Sequence, residues 1–117
     1  LLNSMLTLFE FYVTVVVEPY LVYAQDSYII RGNNAVIKSV ISEHALDYVQ
    51  VISWHDGRKA ITFGGKYFLM PSGDLVITNV KDADKSSMFY CTTVNKLTGE
   101  KVFSNPARLF LKGTLKA

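Results

Sequence analysis

Apolar and polar positions alternate along most of this chain in short runs, and the clearest run lies between Leu75 and Cys91. Leu75, Ile77 and Val80 supply an apolar strand face. Asp82-Ala83-Asp84 makes a polar corner, and Met88, Phe89, Tyr90 and Cys91 begin a second strand. Upstream, Ala35 to Ile41 predicts a strand with Ala35, Ile37, Ser39 and Ile41 on one face and Val36, Lys38 and Val40 on the other. Tyr48 to Trp54 predicts another, although Trp54 shares parity with Ile52 and Gln50, so its alternation is imperfect. Shorter runs at 21–23, 28–30, 60–63 and 66–70 also read as strands, as does a last one from Lys101 towards Leu111. Pro106 falls inside that last run, which predicts an edge or a bulge there.

Turn residues separate these runs. Arg31-Gly32-Asn33-Asn34, Gly64-Gly65, Pro71-Ser72-Gly73 and Leu97-Thr98-Gly99-Glu100 all favour reversals. Ser42 to Ala45 reads as a loop, and the Asp-Gly pair in His55-Asp56-Gly57-Arg58 as a tight turn. No stretch has helical periodicity. Seven to nine short strands with regular turn signals predict an all-β, two-sheet β-sandwich.

Residues 1–17, LLNSMLTLFEFYVTVVV, are the most apolar stretch. They are slightly short for a membrane span and contain Asn3 and Glu10. No basic residue precedes them, which argues against a signal peptide. Alternation at Phe11, Val13, Val15 and Val17 favours an extra strand or a fragment of a preceding module; a processing or membrane remnant is the other reading.

The length of 117 residues fits one sandwich domain, with a core large enough to fold without a cross-link. The net charge is +2: Glu10, Glu18 and Asp26 precede the first base, Arg31, so residues 1–30 carry −3 and the rest +5. The later lysines are spaced out, so no basic patch points to nucleic acid. A single cysteine permits no internal disulfide, which leaves both a reducing and an oxidising compartment open.

Chemistry has little footing. A reactive thiol needs a cationic or histidine neighbour and exposure, and in the sandwich that the resemblance described below implies, His44 and His55 lie at strand or loop ends away from Cys91. One cysteine and two histidines are too few for a closed zinc site. No glycine-rich loop runs from a strand into a helix to cradle phosphate. Asp82 and Asp84 fit a strand corner in which Asp84 takes backbone N–H bonds or pairs with Lys66. Neither an enzyme, a cofactor nor a small-molecule ligand is expected.

The segments YIIRGNNAVIKS (28–39), YVQVISWHD (48–56), GGKYFLMPSGDLVITNVKDAD (64–84) and FYCTTVNKLTGEKVFSNPARLFL (89–111) resemble an immunoglobulin domain of the I-set or variable-like kind. More narrowly, they resemble the second immunoglobulin domain of arthropod Dscam (Down syndrome cell adhesion molecule) receptors. GKY-x-x-x-PSG-x-L and KLTGE carry the narrower likeness. It covers about residues 15–112, leaving 1–14 as an apolar extension and 113–117 as a tail or linker.

The resemblance implies an extracellular part of a plasma-membrane receptor that binds copies of itself, as in neuronal wiring or immune recognition. It implies flanking immunoglobulin domains. It also implies a two-fold antiparallel contact through the N-terminal edge strand, here Tyr20, Leu21, Val22, Tyr23, Ala24, Gln25 and Asp26, with Tyr20 and Tyr23 offering contact area. Core markers are Ser39, Trp54, Phe89 and Cys91. Relatives have cysteine where this chain has Ser39, so the usual inter-sheet disulfide is lacking. They have tyrosine where it has Phe89, so the corner hydrogen bond is lacking too. The alternative is a structural immunoglobulin repeat without a recognition role, intracellular or in a stalk.

Overall fold

The computed structural model describes residues 19–112. Eleven strands follow in order: β1 (Val22–Ala24), β2 (Ser27–Ile30), β3 (Ala35–Ile37), β4 (Ser39–Ile41), β5 (Val49–Asp56), β6 (Lys59–Ala60), β7 (Tyr67–Leu69), β8 (Leu75–Ile77), β9 (Phe89–Asn95), β10 (Lys101–Phe103) and β11 (Leu109–Lys112). Single 3-10 turns at Glu43–Ala45 and Asp82–Ser86 are the helical pieces among the described residues.

These strands make the two layers of an immunoglobulin-like sandwich. In one layer β1 pairs with β4, and β3, the same run of chain one residue earlier, pairs with β8, which pairs with β7, all antiparallel. In the other, β9 lies between β10 and β5, and β6 closes on β5. Parallel pairing of β2 with β11 extends the second layer. The chain thus changes layers between Ala24 and Ser27.

Small departures from regular pairing have identifiable causes. The predicted strand 35–41 is interrupted at Lys38 because β8 begins only at Leu75; the Ser39 N–H there donates to the Asp74 carboxylate instead (2.8 Å). The last strand is split around Pro106, which has no N–H to give to a ladder. Ala107 still exchanges two backbone hydrogen bonds with Phe89 (2.8 and 2.6 Å), so the connection from β10 to β11 stays tied to the start of β9.

The imperfect alternation before Trp54 is a β-bulge. Val51 pairs with Thr93 and Ser53 with Thr92, which leaves Ile52 as the extra residue. The bulge flips parity. Val49, Val51 and Trp54 therefore all face the core, while Gln50 and Ile52 are exposed, correcting the shared face predicted for Trp54, Ile52 and Gln50. The Asp-Gly turn also moves by one residue. His55 and Asp56 belong to β5, and Gly57-Arg58 form the two-residue hairpin loop, with Gly57 at a φ of 58° that suits glycine.

Trp54, Phe89, Ile37, Leu75, Ile77, Val80 and Cys91 are fully buried in the sandwich core. The Trp54 indole donates to the Gly73 carbonyl (2.9 Å). That approach needs glycine. Gly73 has φ 92°, and a Cβ there would lie 2.9 Å from Val51 Cγ2.

The polar corner closes on Asp84, whose Oδ2 accepts from the Lys81 N–H (2.8 Å) and from Lys66 Nζ (3.0 Å). Both partners anticipated for Asp84 are present at once. Phe89 occupies the core just beyond this corner, edge-on to Tyr67 with ring centroids 6.3 Å apart.

Candidate functional site

A short edge lies at the N-terminal strand. Among the described residues β1 has a partner on one side only. Leu21 exchanges bonds with Ser42, giving its N–H to Ser42 Oγ (2.8 Å) and accepting from the Ser42 N–H (3.1 Å). The Gln25 N–H goes to the Lys38 carbonyl (3.0 Å). Odd-numbered residues thus turn their backbone groups towards β4, and alternation turns those of Tyr20, Val22 and Ala24 outward, along the free edge.

Side chains alternate in the other sense. Val22 and Ala24 are buried, whereas Leu21 is 78% and Tyr23 52% exposed. Tyr23 lies opposite Val40, which is also exposed, on the outer face of this layer. Val36 and Phe68, both next to Val76, continue an apolar surface on β3 and β7.

The expected segment Tyr20–Asp26 is not uniformly available. Tyr20 packs against the core, its hydroxyl 3.5 Å from Thr93 Oγ1, so it supplies little of the contact area expected of it. Gln25 and Asp26 form the crossing between layers, and Asp26 Oδ1 accepts from the Arg108 N–H (2.8 Å). At Ala24 the outward edge is already filled. Asn105 Oδ1 accepts from the Ala24 N–H and Asn105 Nδ2 donates to the Ala24 carbonyl, both at 2.9 Å. Nothing in the local sequence signals Asn105, which lies 81 residues away.

The second layer carries an aromatic surface that sequence reading also missed. His55 stacks on Tyr90 (centroids 4.8 Å, 9° between planes), and Tyr90 meets Phe103 edge-on at 6.3 Å. His55 therefore lies half-buried on a strand beside β9; it is not in a solvated loop remote from that strand, as expected from sequence. Ser53 Oγ lies 3.1 Å from its Nε2. A shallow hollow of about 500 Å³ beside these rings is lined by Gly57, Met88, Tyr90, Phe103, Ser104 and Pro106.

Neither surface gathers catalytic groups. Among the described residues no three histidine, cysteine or acidic side chains are grouped to hold a metal ion. Burial pushes the Cys91 thiol above its ordinary range, and the Asp74 carboxylate adds to this against the opposing hydrogen bond from Ser104. A neutral, fully buried thiol is a core residue and not a nucleophile. Ser39 is also accounted for: its Oγ donates to Asp74 Oδ1 (3.2 Å), so the hydroxyl that stands in the cysteine position has a partner.

No protein-family model matches the chain. The chain is similar to the mouse cell adhesion molecule DSCAML1, 39% identical over 92 residues, and to the Drosophila melanogaster cell adhesion molecule Dscam1, 37% identical over 91. These alignments take in 79% and 74% of this chain but only 4% of each relative, so the chain corresponds to a small part of such proteins. Among solved structures, the N-terminal four Ig domains of Dscam1 isoform 4.4 match with TM-score 0.78 and 34% identity, covering 85% of this chain and 27% of that one. The N-terminal eight Ig domains of Down syndrome cell adhesion molecule isoform 1.30.30 match with TM-score 0.77 and 33% identity, covering 86% and 14%. With its sandwich, buried Trp54 and these alignments, the chain belongs to the immunoglobulin superfamily as a domain of the Dscam type.

Proposed function

We propose that this domain is an adhesion and recognition module of a cell-surface protein, acting by protein contact and not by catalysis, and that it pairs with a second copy of itself along β1. It would form part of the extracellular region, between flanking immunoglobulin domains, in the position of a second domain. The observation that carries this reading is the open β1 edge. Val22 turns an N–H and C=O outward there that have no partner among the described residues, flanked by the exposed Leu21 and Tyr23. A strand added to such an edge gains backbone hydrogen bonds, and a two-fold axis lets one surface serve both partners. The relatives' description as cell adhesion molecules supports the same reading.

A structural repeat without a recognition role would share the fold; the missing inter-sheet disulfide favours it, because reducing compartments make that bond idle. Sedimentation over a range of concentrations separates the two. The 117-residue chain is expected to self-associate weakly. Tyr23→Asp, which puts a charge among the exposed apolar side chains beside the pairing edge, is expected to reduce this. Identical profiles for both proteins would remove the edge-pairing reading.

A further inference from the structure

We propose that Asn105 sets the register in which two copies pair along β1. The inference rests on the edge-pairing reading above. The Asn105 amide gives one donor and one acceptor to Ala24, both at 2.9 Å, which is what an antiparallel neighbour would offer at that position. A side chain of the same molecule thus takes the place of an incoming strand.

The consequence follows from counting outward groups. Tyr20, Val22 and Ala24 face the free edge, and a twin strand can bond only through them. A two-fold axis centred on Val22 pairs Val22 with its own copy and Tyr20 with Ala24. An axis on Tyr23 pairs Val22 with Ala24. With the Ala24 groups held by Asn105, the first keeps only the Val22 self-pair and the second keeps no pair within this segment. An axis on Leu21 pairs Tyr20 with Val22 in both directions, and none of those bonds involves Ala24. Asn105 therefore selects the Leu21-centred register, in which the most exposed apolar side chain of the segment, Leu21, faces its own copy. The discarded Tyr23-centred register would have set Tyr23 against Tyr23. One side chain of the β10–β11 connection decides which residues of β1 read the partner.

Cysteine cross-linking tests this. Residues facing each other across a two-fold axis at a non-hydrogen-bonded position have Cα atoms about 4.5 Å apart, within disulfide reach. Leu21→Cys and Tyr23→Cys are each placed in the 117-residue chain, concentrated and oxidised with copper–phenanthroline. The unsubstituted chain, whose Cys91 is buried, serves as the control. Leu21→Cys is expected to give covalent dimer, and Tyr23→Cys roughly tenfold less. Adding Asn105→Ala frees the Ala24 groups and raises cross-linking through Tyr23→Cys. Asn105→Asp, which keeps the acceptor for the Ala24 N–H, supplies a milder variant should the alanine unfold, and is expected to raise it less. If Tyr23→Cys cross-links as well as Leu21→Cys with Asn105 intact, the register assignment is wrong while edge pairing stands. If neither cross-links and sedimentation shows only monomer, both fail.

Discussion

Phe89→Ala is expected to destabilise the domain by about 3–5 kcal/mol, the usual cost of removing a buried phenylalanine. The side chain is fully buried and packs edge-on to Tyr67 at the end of the polar corner. Its backbone also holds Ala107 on both sides of the peptide, which fastens the β10–β11 connection to β9. A cavity at Phe89 therefore loosens the corner and the connection together. Domains of this kind have about 5–15 kcal/mol in all, and this one has no disulfide to fall back on. Urea titration followed by Trp54 fluorescence gives the answer. A loss of under about 1 kcal/mol would mean that the site collapses freely and that Phe89 is not a core anchor.

Ser39→Cys is expected to stabilise the domain by about 2–4 kcal/mol under oxidising conditions, by forming a disulfide with Cys91. The two positions flank Trp54. Cys91 lies opposite it in the β5–β9 register. Ser39 Oγ lies 3.3 Å from where a Gly73 Cβ would sit, and the Gly73 carbonyl holds the Trp54 indole. Asp74, bonded to Ser39, lies close enough to push the Cys91 thiol up. Losing the Ser39–Asp74 hydrogen bond costs about 1 kcal/mol, so the net gain falls towards the lower end. Thermal melts with and without reductant measure it. Equal midpoints would show that the two side chains do not meet.

What was legible in the sequence was local. Leu75 and Ile77 sit on one face because the strand period is two, whereas Val80 reaches the core after β8 has ended and Asn79 has turned the chain at a φ of 48°. Asp84 finds Lys66 because β7 and β8 form a hairpin that returns the corner beside the start of β7. The buried Trp54 was legible from its likeness to relatives, but its parity was not. The bulge at Ile52 is set by pairing with β9, some forty residues on, and no local alternation reveals it. His55 was misread for the same reason, since its stacking on Tyr90 depends on that shifted register. Asn105 is the limiting case. It falls inside the last predicted strand, next to Pro106, and only the crossing of the chain between layers brings it to Ala24. Residues 1–14 and 113–117, read from sequence as an extension and a tail, lie outside the described residues.

The edge is tested most directly by amide hydrogen exchange on the unsubstituted chain, dilute and concentrated. The Ala24 amide is expected to exchange slowly at both concentrations, because Asn105 holds it within the monomer. The Val22 amide is expected to exchange fast when dilute and to slow as copies pair. A Val22 amide whose rate stays the same across concentrations at which sedimentation shows dimer would place the contact elsewhere and contradict the account.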